Sequence, residues 1–146
     1  QIVGYAYYLN IVSAMGTIEV GNINFAPVLQ KTVAATEAMV LMMREAFALG
    51  YRRYEWKCNA LNGPSRCAAQ RLGFSWEGIF RQHLIVKARN RDTAWLAICD
   101  DDWPAMDRAF EIWLAPDNFD DAGRQRQSLS TLTGPHRVAS DPDQAG

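Results

Sequence analysis

With 146 residues, 49% of them hydrophobic and 21% charged, the chain has the length of about one globular domain and enough apolar material for a core. Its three cysteines, Cys58, Cys67 and Cys99, have neither CxxC spacing nor a partnering histidine motif, which argues against a disulfide framework or a zinc site and points to a reducing cytoplasm; no apolar run reaches the roughly 18 residues of a membrane span, and the N-terminus lacks the basic region of a signal peptide. The net charge is −1 but uneven: residues 44–91 carry ten Lys/Arg against three Glu, and residues 92–146 carry four against eleven acidic side chains, so a globally basic nucleic-acid binder is excluded and the basic middle reads either as a site for a small anionic cofactor or as solvated surface.

QIVGYAYYLN at the N-terminus is apolar on both alternating faces, the pattern of a strand covered on two sides. SAMG supplies a turn and TIEVGNINF a second strand, so the two should form an antiparallel hairpin. In the second strand Ile18 and Val20 share one parity, Ile23 and Phe25 the other. One extra residue near Gly21 or Asn22 returns all four to one face, the signature of a β-bulge; the competing reading is a strand buried on both faces.

Pro27 ends that strand. Residues 35–49 read as a helix, with Met39, Met42, Met43, Ala46 and Leu49 recurring at three- and four-residue spacing and Gly50 closing it. RRYEWKC alternates, placing Tyr54, Trp56 and Cys58 inward and Arg53, Glu55 and Lys57 outward. NALNGPSRCAAQRLGF is a loop and a short helix, with Pro64 at its start and Gly73 at its stop. Residues 79–87 and 93–99 are two more strands around the polar turn ARNRD. Pro104 opens an amphipathic helix with Met106, Ala109, Phe110, Trp113 and Leu114 on one face; APDNFDDAG breaks it, and residues 124–132 hold a last helical turn or two. From Gly134 onward the chain is short of apolar residues and reads as disordered. The strand–helix–strand piece at 17–58 is a parallel crossover unit.

That unit is the first place where chemistry could reside. A helix N-terminus presents unpaired N–H groups and about half a positive charge, which suits a pyrophosphate. Residues 31–36 would supply the amides, and Thr36 either offers its hydroxyl or caps the helix. Yet LQKTVAATEAMVLMM, residues 29–43, contains no glycine, the residue most phosphate loops depend on.

GTIEVGNINF, LQKTVAATEAMVLMMREAFA and YRRYEWKCNALNGPSRCAAQRLGFSWEGIFRQ together resemble the GNAT superfamily of acetyl-CoA-dependent N-acetyltransferases, most of all the RimJ/RimL type. The resemblance covers residues 1–103 and rests on the order of elements with Q-x-x-x-x-A-T-E-A at 30–38, N-x-x-S at 62–65 and L-G-F at 72–74. It implies a mixed α/β (α+β) fold: a mostly antiparallel sheet with a central splayed parallel strand pair and flanking helices. Gln30, Lys31, Thr32, Val33, Ala34 and Ala35 match the family's Q/R-x-x-G-x-G/A pyrophosphate loop, with Val33 where the middle glycine is expected and Thr36 following. A β-branched residue would be strained if that position needed φ > 0. Ile23, Asn24 and Phe25 would line the pantetheine, and Asn62 would hold it or serve as a cap.

By the same resemblance Glu19 is the base that takes a proton from the amine, and Ser65 the donor to the leaving thiolate. The competing readings are a surface glutamate on a strand and a first-turn serine bonded to its own backbone. Direct transfer needs no covalent intermediate, so Cys58 is read as a small buried residue; Arg81 and Gln82 lie near the acceptor end. A full domain of this family begins with a strand, two helices and another strand before the segment matching 1–10. The expected division is therefore an N-terminally incomplete acetyltransferase core at 1–103, a helical extension at 104–132 and a disordered tail at 133–146. The implied activity is transfer of an acetyl group from acetyl-CoA to a primary amine, of a protein N-terminus or a small molecule, by direct attack on the thioester. The alternative is a non-catalytic or degenerate acyl-CoA-binding fold acting as an interaction module. Neither needs a metal, a nucleic acid or a membrane; self-association along the exposed edge at residues 1–10 is a further expectation.

Overall fold

The structure is a computed structural model and describes residues 1–144. Five strands, β1 (Gly4–Val12), β2 (Thr17–Phe25), β3 (Arg53–Asn59), β4 (Ser75–Val86) and β5 (Arg89–Cys99), form one sheet in the order β1-β2-β3-β5-β4. Only β2 and β3 run parallel, joined through helix α1 (Val33–Ala48). Helices α2 (Gly63–Arg71), α3 (Trp103–Leu114) and α4 (Leu129–Thr133) complete the chain. No helix among the described residues is long and apolar enough to cross a membrane.

The core lies between one face of the sheet and the helices. Ile18 and Val20 of β2, Tyr54, Trp56 and Cys58 of β3, and Ala94, Leu96 and Ile98 of β5 meet Met39, Val40, Met43 and Ala46 of α1, Ala69 of α2, and Met106, Phe110 and Trp113 of α3. The period-2 and period-3.6 patterns of the sequence select these side chains because each element has one dry face. The methionine stripe of α1 is core.

Two irregularities shape the sheet. Between Tyr5 and Tyr7 the register of β1 advances two residues while β2 advances three, from Asn24 to Gly21. The extra residue is a bulge with Asn22 at φ 50°, and it returns Ile23 and Phe25 to the core side beside Ile18 and Val20. The parallel pairing of β2 with β3 spans only Thr17↔Arg53 to Val20↔Trp56. Beyond Val20, β2 stays with β1 and β3 stays with β5, so the two parallel strands part.

The opposite face of the sheet is ionic. Arg53 joins Glu55 and Glu77, and Lys57 joins Glu55 (2.7 Å) and Glu19 (3.1 Å) while lying over the Trp95 ring. Glu55, read from alternation as an outward residue, is buried in this network. Burial works to raise its carboxyl, but hydrogen bonds from Arg53 and Lys57 outweigh this and hold it below the usual carboxylate range.

The expectation of a disordered tail from residue 133 is corrected up to residue 144; residues 145–146 lie outside the described residues. Trp76 of β4 donates its amide to Ala139, and Ser75 accepts from the Val138 amide. The Asp141 carboxylate is buried against the Arg66 guanidinium, and its amide donates to Gln70. The tail docks through polar groups of α2 and the β4 edge, so a lack of apolar residues does not free it.

Candidate active site

The parting strands and the start of α1 enclose a cavity of about 1180 Å³. One wall is Val20 to Ile23 with Phe25, the facing wall is Trp56 to Asn59, and Gln30 to Val33 with Ala35 and Thr36 form one end. Of the residues singled out in the sequence, Ile23, Phe25, Gln30, Lys31, Thr32, Val33, Ala35, Thr36, Asn62 and Ser65 lie on its lining. Asn24 does not: its side chain donates to the Tyr5 hydroxyl on the neighbouring strand, 3.1 Å away, because the residue after a bulge partner alternates back outward. Ala34 and Glu19 are also off the lining.

The loop at 26–32 resolves the missing glycine. Its positive φ falls on Lys31 (60°), while Val33 is the first residue of α1 and has no positive φ. The helix starts two residues earlier than its apolar pattern indicates because Thr32, not Thr36, is the N-cap: Thr32 Oγ1 accepts from the Ala35 amide at 3.1 Å. Thr36 donates its amide to the Thr32 carbonyl, and Thr32 donates to Leu29. The amides of Lys31, Val33 and Ala34 then have no acceptor among the described residues. Gln30 braces the loop by donating to the Phe25 carbonyl at 2.7 Å.

At the other end, Asn62 caps α2 by accepting from the Ser65 amide, as its capping reading anticipated. Ser65 Oγ accepts from Trp56 Nε1 at 3.0 Å, which occupies one lone pair and turns its O–H toward the cavity side as a donor, where Cys58 is one acceptor within reach. Burial pushes the neighbouring Cys58 thiol up, partly offset by a hydrogen bond with Ser65, which suits a packing residue and not a nucleophile. Glu19 is buried on the ionic face, where its Oε2 accepts from Asn10 (2.6 Å) and Lys57 (3.1 Å). Its Oε1 has no partner among the described residues and sits beside Gly21, where an added Cβ would lie 3.6 Å from it.

Sequence reasoning missed several lining residues. Arg71, the basic residue just before L-G-F, donates to Thr36 Oγ1 (3.1 Å) at the first turn of α1. Arg91 reaches the cavity from β5 with its Nε buried and unpartnered. Trp56 was legible as core but not as the partner of Ser65. Trp113, Phe119, Gly123 and Gln125 come from beyond the sheet. Among the described residues no group of three His, Cys, Asp or Glu is placed to hold a metal ion.

No family model matches the sequence, and neither does any curated protein. Solved structures do. A GCN5-related N-acetyltransferase from Brucella melitensis superposes with a TM-score of 0.87 at 51% identity, over 90% of this chain and 60% of that one. The fold is the GNAT fold. A probable acetyltransferase of the GNAT family from Chromobacterium violaceum matches at TM-score 0.66 and 49% identity, over 67% of this chain and 50% of that one. The microcin C7 self-immunity acetyltransferase MccE, solved with acetyl-CoA and AMP, shares the fold at TM-score 0.61 and 24% identity over 68% of this chain. This chain thus spans about 60% of the length of its Brucella GNAT neighbour and half that of the Chromobacterium one.

Proposed function

We propose that this chain is a GNAT N-acetyltransferase of the RimJ/RimL type that moves an acetyl group from acetyl-CoA to a primary amine of a protein N-terminus or a small molecule. The observation that carries this reading is the union of two features in one cavity: a gap between parallel strands that part after Val20, and unpaired amides at the start of α1 at its end. Acetyl-CoA, when bound, supplies the acyl thioester that the amine attacks. The residues present fit it. The amides of Lys31, Val33 and Ala34, together with Arg71, would hold an anionic pyrophosphate, and Ile23 and Phe25 would flank the pantetheine.

Most of the chemistry asked of the chain is proton transfer. Glu19 takes the amine's proton on its unpartnered Oε1, while Asn10 and Lys57 fix the other oxygen and hence the orientation of the carboxylate. Ser65 gives a hydrogen bond or proton to the departing thiolate, with Trp56 keeping its O–H directed away from the indole. The experiment is thiol release from acetyl-CoA in the presence of a panel of primary amines. Glu19→Gln and Ser65→Ala should each lower kcat by about 100-fold, the ordinary contribution of an acid or base, while leaving acetyl-CoA binding near wild type. Wild-type turnover in either variant refutes that residue's role. CoA binding with no thiol release for any amine replaces the enzyme reading with a binding one.

A further inference from the structure

The last two strands run on past the sheet. β3 ends opposite Thr93, and from Phe80↔Thr93 to Val86↔Arg89 the strands β4 and β5 pair only with each other. They form a two-stranded arm closed by a tight turn at Lys87 (φ 51°) and Ala88 (φ 58°). A bulge kinks its base: between Phe80 and Leu84 strand β4 advances four residues while β5 advances two, with Gln82 at φ 51°. Asp92 pins the bulge, its Oδ1 accepting from the Gln82 amide (2.7 Å) and from the Asn90 side chain (2.8 Å).

The arm is basic and apolar at once. Residues 79–91 hold four Lys/Arg and no Asp or Glu. Arg81, Lys87 and Arg89 are exposed, and none of them makes an ion pair among the described residues. Between them Ile85 is 84% exposed, Val86 43% and Leu84 39%. Solvated charge alone does not call for three consecutive apolar residues in water on a ribbon that is marginal by itself. The pattern suits a surface that is both anionic and apolar.

The arm also adjoins the ionic face that carries Glu19. The rings of Phe80 and His83 meet Trp95 at centroid distances of 6.0 and 6.2 Å. The Lys57 ammonium that holds Glu19 lies 4.1 Å from the Trp95 centroid. A nucleic acid would answer the charge of the arm but leave Ile85 uncovered. A lipid surface would be met first by Lys87 at the turn, a cation that would have to enter the apolar layer ahead of Ile85. An acidic protein offers carboxylates and apolar side chains together, and it brings an N-terminal amine.

We propose that the β4–β5 arm docks an acidic protein through Arg81, Lys87 and Arg89 around Ile85, and so delivers that protein's N-terminal amine past Trp95 toward Glu19. This rests on the acetyl-transfer reading of the site, and of the two acceptor classes left open there it selects a protein with an acidic surface over a small amine.

The test uses two peptides of equal length that begin with the same short sequence; one continues rich in Glu and Leu, the other rich in Lys and Leu. Each is dye-labelled at its C-terminus and titrated with the full chain by fluorescence anisotropy. Unlabelled, both are compared with the shared short peptide as acceptors in thiol release from acetyl-CoA. The Glu peptide should bind about tenfold more tightly than the Lys peptide at low salt, the product of three exposed ion pairs at roughly twofold each, and the gap should close as salt screens them. The triple variant Arg81→Gln, Lys87→Asn, Arg89→Gln should lose that preference while releasing thiol with the short peptide at the wild-type rate; Asn is chosen because it tolerates left-handed backbone. Ile85→Ser should weaken Glu-peptide binding about threefold at every salt concentration, as expected for partial burial of one side chain. Thermal unfolding checks that both variants are intact. Equal binding of the two peptides by wild type, or an unchanged preference in the triple variant, overturns the docking arm, and thiol release with the short peptide then leaves the acetyl-transfer reading standing. Tighter binding of a single-stranded RNA of equal charge, or of phosphatidylglycerol vesicles, than of the Glu peptide overturns the protein partner. Preferential Glu-peptide binding with thiol release for none of the peptides upholds the docking surface and overturns the transfer reading.

Discussion

Asp141→Ala probes whether the end of the chain is a structural part of the domain. The Asp141 side chain has no exposed surface, Arg66 is 8% exposed, and the guanidinium donates to both carboxylate oxygens through Nε and Nη2. Removing one partner of such a buried pair costs about 3–5 kcal/mol, because the other charge is left without compensation. Two features place this case near 3 kcal/mol, the lower end of that range. Arg66 keeps the Ala60 carbonyl and the Asp143 carboxylate, which is largely exposed, and the tail can lift and let water reach the guanidinium. For a chain of this length that loss lowers Tm by roughly 6–12 °C. Urea unfolding followed by tryptophan fluorescence, with a thermal melt beside it, measures both quantities. The double variant Arg66→Met with Asp141→Leu should recover most of the loss, since two apolar residues leave no orphaned charge. A loss under about 0.5 kcal/mol in Asp141→Ala, the level of an ordinary surface change, refutes the docking of the tail. A double variant as unstable as the single one refutes the electrostatic explanation.

Other perturbations separate parts of the site. Lys31→Gly should stabilise the chain by about 1 kcal/mol, since Lys31 carries the left-handed backbone of the loop, whereas Val33→Gly should destabilise it by up to about 1 kcal/mol and leave CoA affinity within about twofold; denaturant titration of both variants reads the opposite signs. Trp56→Phe keeps a ring against Phe74 but removes the N–H that Ser65 accepts, and should lower kcat about fivefold, the worth of one hydrogen bond. In a Ser65→Ala background the same change should do little, because the two residues act as one unit. Glu55 has a carboxyl held below its ordinary range, so it adds stability that is fully present above the unfolded value of about 4.3 and is lost as the pH falls through the lower folded value. Urea midpoints of wild type and Glu55→Gln should therefore differ most above about pH 5 and converge in stronger acid.

Local pattern was enough to place all five strands and the three longer helices within a few residues, and a parity break of four side chains pointed to a bulge near Gly21 or Asn22, which the structure places at Asn22. The positions of Ser65 and Asn62 at the start of α2, and of Gln30 to Val33 at the start of α1, were also legible, because caps and turns are set by neighbours in the chain. The sequence offered Thr36 as the capping hydroxyl; only the fold shows that the Thr32 hydroxyl takes the Ala35 amide instead, and so which amides stay free. Asn24 turns outward because it alternates with Ile23 and Phe25 on the core side, so period-2 spacing along β2 already separated it from the two residues that line the gap.

The sequence by itself determined the elements, the loop that opens α1 and the residue types at both ends of the cavity, since these follow from periodicity and local hydrogen bonding. Only the tertiary structure decided that Trp56 partners Ser65, that Lys57 and Asn10 occupy one oxygen of Glu19, that Arg71 stands over Trp113 at the start of α1, and that the tail closes on Arg66. Each of these joins residues that are distant in the chain or lie on different elements, with the tail contact spanning 75 positions. Such contacts depend on where the sheet places its strands and on which charges are buried together, and that information is carried by packing and not by sequence spacing.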